Sequence, residues 1–172
     1  MRGVLLLCCV VLALAACRKS AEETLAEAAI KGATGHEVEV DKDGEQVTIK
    51  TDDGEMKISG GDAATLPATF PKDIYLPAQY AVSSVMEMNN TQLVALTAQG
   101  EVAKLYAEAR AMMEKEGWKQ TMAMQGSAND GLLAYEKGER KATVSFNAEP
   151  DGDTVTVGLQ VIAPESPAAA AH

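Results

Sequence analysis

Residues 131–149, GLLAYEKGERKATVSFNAE, and 151–162, DGDTVTVGLQVI, decide the fold. In the first stretch Lys137-Gly138 marks a turn, after which Ala142, Val144, Phe146 and Ala148 alternate with Thr143, Ser145 and Asn147. The second starts at the Asp151-Gly152 turn and places Val155, Val157, Leu159 and Val161 at every other position. Successive side chains of a strand point to opposite faces, so a period of two means one buried face and one wet face. That pattern predicts an antiparallel sheet rather than a parallel one, whose strands are apolar on both sides.

Working back along the chain, WKQTMAMQ (118–125) is expected to be a strand with Trp118, Met122 and Met124 on one face. Before it, EVAKLYAEARAMMEKEGW (101–118) carries the clearest helical signal. Val102, Leu105, Tyr106, Ala109, Met112 and Met113 form one apolar stripe at helical spacing. Gly117 suits the left-handed position after the helix, with Trp118 folding back on Met113. YAVSSVMEMNNTQLVALTA (80–98) is expected to be two strands about an Asn89-Asn90 turn, since Asn tolerates left-handed dihedrals.

The stretch 60–77 breaks the pattern with Gly60, Gly61, Pro67, Pro71 and Pro77 and is expected to be a linker or a surface-hugging loop. Ahead of it, Val38 and Val40, Val47 and Ile49, and Met56 and Ile58 alternate with polar residues, separated by Asp43-Gly44 and Asp53-Gly54. Asp-Gly between alternating runs is a hairpin signal, so a three-stranded meander is expected. Ser20 and Glu23 match a capping box, Leu25, Ala29 and Ile30 share a helical face, and Gly32 or Gly35 can end that helix. Such a helix is either a tether or docks on the strands that follow.

The expected fold class is therefore α+β: a short N-terminal helix and a three-stranded β-meander, then an antiparallel sheet packed by one main helix in the order β-β-α-β-β-β-β. The expected divisions are 17–36 for the anchor and tether helix, 37–60 for the meander, 61–78 for the Pro/Gly linker, 79–163 for the α+β domain and 164–172 for a disordered tail.

Residues 1–16 form a different kind of segment. Arg2 is the one charge before Cys17, and Val4 to Ala16 is wholly apolar. The run is too short to span a membrane, which takes about 20 apolar residues. A short apolar run behind a basic start is the pattern of a signal peptide. Leu14-Ala15-Ala16-Cys17 resembles the lipobox of small bacterial lipoproteins with a type II signal peptide, a group without known activity. That resemblance implies cleavage before Cys17, a diacylglycerol on its thiol and a lipid bilayer as partner. Arg18, in place of Asp, implies sorting onward to the outer membrane, facing the periplasm. The alternative is an ordinary signal peptide cut after Ala13, Ala15 or Ala16. One acyl chain binds a bilayer only marginally, whereas two or three hold stably.

The formal net charge of the 172 residues is −10, and a leader carrying Arg2 and no acid would leave the mature chain more acidic still. Such a surface repels nucleic acid, which is not expected as a partner. All three cysteines, Cys8, Cys9 and Cys17, lie at or before the expected cut, so no disulfide and no catalytic thiol is expected beyond it. His36 and His172 are not placed to serve a serine or a metal, and Gly-rich phosphate loops and zinc or nucleophile-elbow motifs do not occur. Asp41, Asp43, Asp52, Asp53, Asp151 and Asp153 cluster at turns without EF-hand spacing and read as turn formers.

Function is accordingly expected to be non-catalytic: an envelope-anchored module meeting another envelope protein or polymer through a sheet face or an edge strand, with no cofactor beyond the lipid on Cys17. The alternative is soft-metal (copper or silver) binding through Met86, Met88, Met122 and Met124. Each Met-x-Met pair presents two thioethers on one strand face, although methionine is also adaptable core filler.

Overall fold

A computed structural model describes residues 31–32, 35–41, 45–51, 54–150 and 153–164. The expected leader, Cys17, the start of the helix from Ser20, the Asp43-Gly44 turn, Asp52, Asp53, Asp151, His172 and the tail from 165 lie outside the described residues. The described strands are β1 (Glu37–Val40), β2 (Gln46–Thr51), β3 (Gly54–Gly60), β4 (Tyr80–Met88), β5 (Thr91–Gln99), β6 (Lys119–Ser127), β7 (Asp130–Lys137), β8 (Arg140–Ala148) and β9 (Thr154–Ile162). One α-helix, α1 (Val102–Lys115), stands between β5 and β6. Among the described residues no helix is long and apolar enough to cross a membrane.

The nine strands form a single antiparallel sheet in the order β1-β2-β3-β4-β5-β9-β8-β7-β6. This corrects the α+β expectation. Met56 pairs with Met88 and Ile58 with Met86, so β3 joins β4 and the meander continues the larger sheet instead of standing apart from it. The C-terminal meander β6–β9 folds back so that β9 pairs with β5 along its whole length. The described chain is thus predominantly β, with one helix on one broad sheet.

Helix α1 buries the stripe its sequence predicts. Val102, Leu105, Tyr106, Ala109 and Met113 are buried, and Met112 packs partly against them. The helix ends in a Schellman arrangement: the Trp118 N–H donates to the Met113 carbonyl at 3.0 Å and the Gly117 N–H to the Glu114 carbonyl at 3.0 Å. Gly117 has a φ of 82°, the left-handed conformation this cap requires. Beneath lie Val144 and Phe146 of β8, Val155, Val157 and Leu159 of β9, Leu133 and Tyr135 of β7, and Val94 and Leu96 of β5. Burying side chains of this size contributes about 1.5–3 kcal/mol each, enough to make this layer the seat of stability.

The Pro-rich stretch after β3 is part of that core. Phe70, Ile74 and Tyr75 are buried in it, and Leu66 and Leu76 pack against it. The prolines fix the backbone while the apolar residues between them reach down, so the segment acts as a strap beside α1. The Tyr75 N–H donates to the Met113 sulfur at 3.4 Å, tying strap to helix.

Register shows that the two halves of the sheet turn their apolar residues to opposite faces. Val94 and Leu96 of β5 point toward α1. Val38, Ile49, Met56 and Met88 are linked pair by pair to Thr91, and Val40, Val47, Ile58 and Met86 to Leu93. Thr91 and Leu93 lie on the face away from α1, so the meander's apolar residues do too. Strand β5, apolar at Leu93 and Ala95 as well as at Val94 and Leu96, lets the sheet change its buried face without a break.

Candidate functional site

The face away from α1 holds a shallow trough of about 430 Å³. Its floor is one cross-strand row of small residues: Ser84 of β4, Ala95 of β5, Gly158 of β9 and Ser145 of β8 are partners across the ladders. The same row continues to Leu132 of β7 and Met124 of β6. The next row supplies a wall, with Ile58, Met86 and Leu93 followed by Gln160 and Thr143. Large residues flanking small ones on a pleated surface make a groove across the strands. A Cβ on Gly158 would stand 2.5 Å from the Ser145 hydroxyl oxygen, so a side chain there would displace Ser145 and raise the floor. None of the lining residues is aromatic or charged, and Ser84, Thr143, Ser145 and Gln160 bring the polar side chains.

The methionines singled out from the sequence all lie on this face, but they do not converge. Met86 and Met88 are on β4, Met122 and Met124 on β6, five strand steps away. At the usual strand spacing that is about 24 Å along the sheet. The expectation that Trp118 shares a face with Met122 and Met124 fails for a specific reason. The register slips by one residue between Gln120 and Met122, and a bulge there reverses the alternation. Trp118 is buried in the core, whereas Met122 and Met124 are 47 % and 57 % exposed on the opposite face. Sequence reasoning missed Met56, which pairs directly with Met88 and so adds a third thioether beside Met86 and Met88. Its place in an expected hairpin strand gave the face but not the neighbour. Among the described residues no group of three or more His, Cys, Asp or Glu is placed to hold a metal ion.

Asp41 serves a turn, its Oδ1 accepting the Glu45 N–H at 2.9 Å, whereas the Asp153 carbonyl accepts the Gly100 N–H at 3.1 Å and so extends the β5–β9 pairing. His36 lies just before β1.

Asp73, which no sequence pattern marks, is the most constrained carboxylate among the described residues. Arg140 donates to both its oxygens, at 3.0 and 2.7 Å, and Lys137 Nζ donates to Oδ2 at 2.7 Å. The Asp73 carbonyl accepts the Trp118 indole N–H at 2.8 Å, and the Arg140 guanidinium lies 4.9 Å from the Trp118 ring centroid. The hydrogen bond from Arg140, reinforced by Lys137, holds the Asp73 carboxyl down at about 2. A carboxylate so committed as an acceptor is a poor general base; it clamps the strap to the β7–β8 hairpin. Burial pushes the Tyr135 hydroxyl up to about 12, and that oxygen has no hydrogen-bond partner among the described residues. Burial, with the Glu108 carboxylate that accepts its proton at 3.3 Å, raises Tyr75 as well.

Comparison of the chain with protein-family models, with curated proteins and with solved structures finds no match.

Proposed function

We propose that this protein is held at a bacterial envelope membrane by lipid on Cys17 and works as a non-catalytic interaction module whose trough receives an apolar segment of another envelope protein. One observation carries the module reading: an apolar trough stands open on the sheet face that α1 leaves uncovered. The anchor is supported by Leu14-Ala15-Ala16-Cys17 closing an apolar leader. A hydroxyl-rich polymer would bury polar groups against Ile58, Met86, Leu93 and Leu132 with few partners to satisfy them, so a protein segment is the better occupant. The trough is also a better surface than the β6 edge, whose ladder is interrupted by two register shifts of the kind that discourage strand addition.

Membrane fractionation with lipid labelling tests the anchor. Cys17→Ser is expected to move the protein to the soluble fraction and to abolish the label; retention of the variant in membranes would refute it. Ser84→Arg, on an exposed position of the floor, is expected to leave the anchor intact and to abolish crosslinks made from the trough.

A second reading is favoured by the pairing of Met56 with Met88 beside Met86. Three thioethers on one face suit Cu(I) or Ag(I). Calorimetric titration of the full chain with Ag(I) should show stoichiometric binding that Met56→Leu, Met86→Leu and Met88→Leu together remove; no heat of binding would end this reading.

A further inference from the structure

We infer that residues 20–32, the segment between Cys17 and β1, dock on the meander half of the free sheet face, so that the link to Cys17 is a fixed strut and not a loose tether. The observation is a difference between two edges of one face. Strand β1 and strand β6 are the two edges of the sheet. Val38 of β1 and Met124 of β6 both point away from α1. Met124 is 57 % exposed and Leu93, mid-sheet on that face, 37 %, yet Val38 is 5 % exposed. A valine on an edge strand has a strand neighbour on one side alone, and pairing with Ile49 cannot cover it from above. Val38 is also absent from the core cluster under α1. Something therefore lies over the β1 end of the face.

The chain that leads into β1 fits as the occupant. Lys31 and Gly32 are helical, and the Gly35 N–H donates to the Lys31 carbonyl at 2.8 Å with Gly35 at φ 74°, the form of a helix end. This end stands a few residues before Val38, so whatever precedes it starts beside the covered residue. Ala21, Leu25, Ala28 and Ala29 recur at i, i+4, i+7 and i+8, an apolar stripe in helical register. Its small residues permit close approach to a sheet. Thirteen residues in helical form extend about 20 Å, roughly the width of four strands, so the segment can lie across β1, β2 and β3. The inference stands whether or not Cys17 is acylated.

Position-resolved thiol labelling of the full chain, read by peptide mass spectrometry, tests it. Val38→Cys is expected to react about tenfold more slowly than Met124→Cys, and Leu25→Asp with Ala29→Asp should bring the two rates together. Unchanged protection of Val38→Cys in that double variant would overturn the proposal. So would labelling that quickens on dilution, which would make the cover a second copy of the chain. Hydrogen exchange of the unmodified chain supplies an independent reading: amides 22–30 should be protected, and full exchange within seconds would also overturn it.

Discussion

The two halves of the sheet bury opposite faces, and they do so to different depths. In β5 and β7–β9 the residues under α1 and the strap are almost wholly enclosed: Leu96, Leu133, Val144, Phe146 and Val157 all show 0 % exposure. In β1–β3 the apolar residues face the other way, and all but Val38 are half-buried. One continuous ladder of hydrogen bonds thus joins a region with a completed core to a region whose apolar face needs covering. Stability is concentrated in the C-terminal half, and the open trough lies on the reverse side of the sheet.

The largest expected effect falls where the core is most complete. Phe146→Ala removes a ring that meets Tyr106 edge-on at 5.8 Å and should cost about 3–5 kcal/mol in chemical denaturation, whereas Ile58→Ala in β3 should cost less than half as much. Equal losses would break the contrast between the halves. Next comes the clamp. Asp73→Asn leaves Arg140 and Lys137 facing a neutral amide and should cost on the order of 2 kcal/mol at pH 7. Because the folded carboxyl titrates at about 2, below its ordinary 3.8, its contribution is complete above about pH 4 and is lost as pH falls toward 2. The variant should therefore show a flatter stability profile between pH 4 and pH 2 than the parent chain, as followed by thermal melts. A comparable loss, about 1–3 kcal/mol, is expected for Gly131→Ala, since a Cβ there would come within 2.8 Å of the Tyr106 ring. Smallest, and opposite in sign, is Tyr135→Phe. It deletes a buried hydroxyl that has no partner among the described residues and should leave stability unchanged or raise it by up to about 1 kcal/mol; a clear loss would show that the hydroxyl is satisfied after all.

Much of this architecture is legible in local pattern. The alternation through Val144 and Phe146 and through Val155 to Val161, the stripe of α1, its Gly117 cap and the Asn89-Asn90 turn all appear where the residues place them. What local pattern does not carry is partnership at long range. Nothing in Met56 or Ile58 announces Met88 and Met86 as neighbours across the strap, so the meander reads as a separate piece. A bulge is equally silent: one extra residue after Gln120 moves Met122 and Met124 from an expected core position to the free face. Phe70, Ile74 and Tyr75 are obscured by the prolines around them, because Pro marks where a chain turns and not whether it is buried. The trough floor is hidden for a related reason: Ser84, Ala95, Gly158 and Ser145 are unremarkable singly and become a groove once four strands align them.

The most direct test is thiol labelling of Ser84→Cys and Ser145→Cys in the trough, with Val144→Cys beneath α1 as reference, each in the full chain, compared between purified protein and native membranes. Val144→Cys should be protected in both settings, while the trough thiols should react readily in the purified protein and become protected in membranes, where a partner segment would occupy them. Trough thiols that label equally fast in both settings would contradict that occupancy.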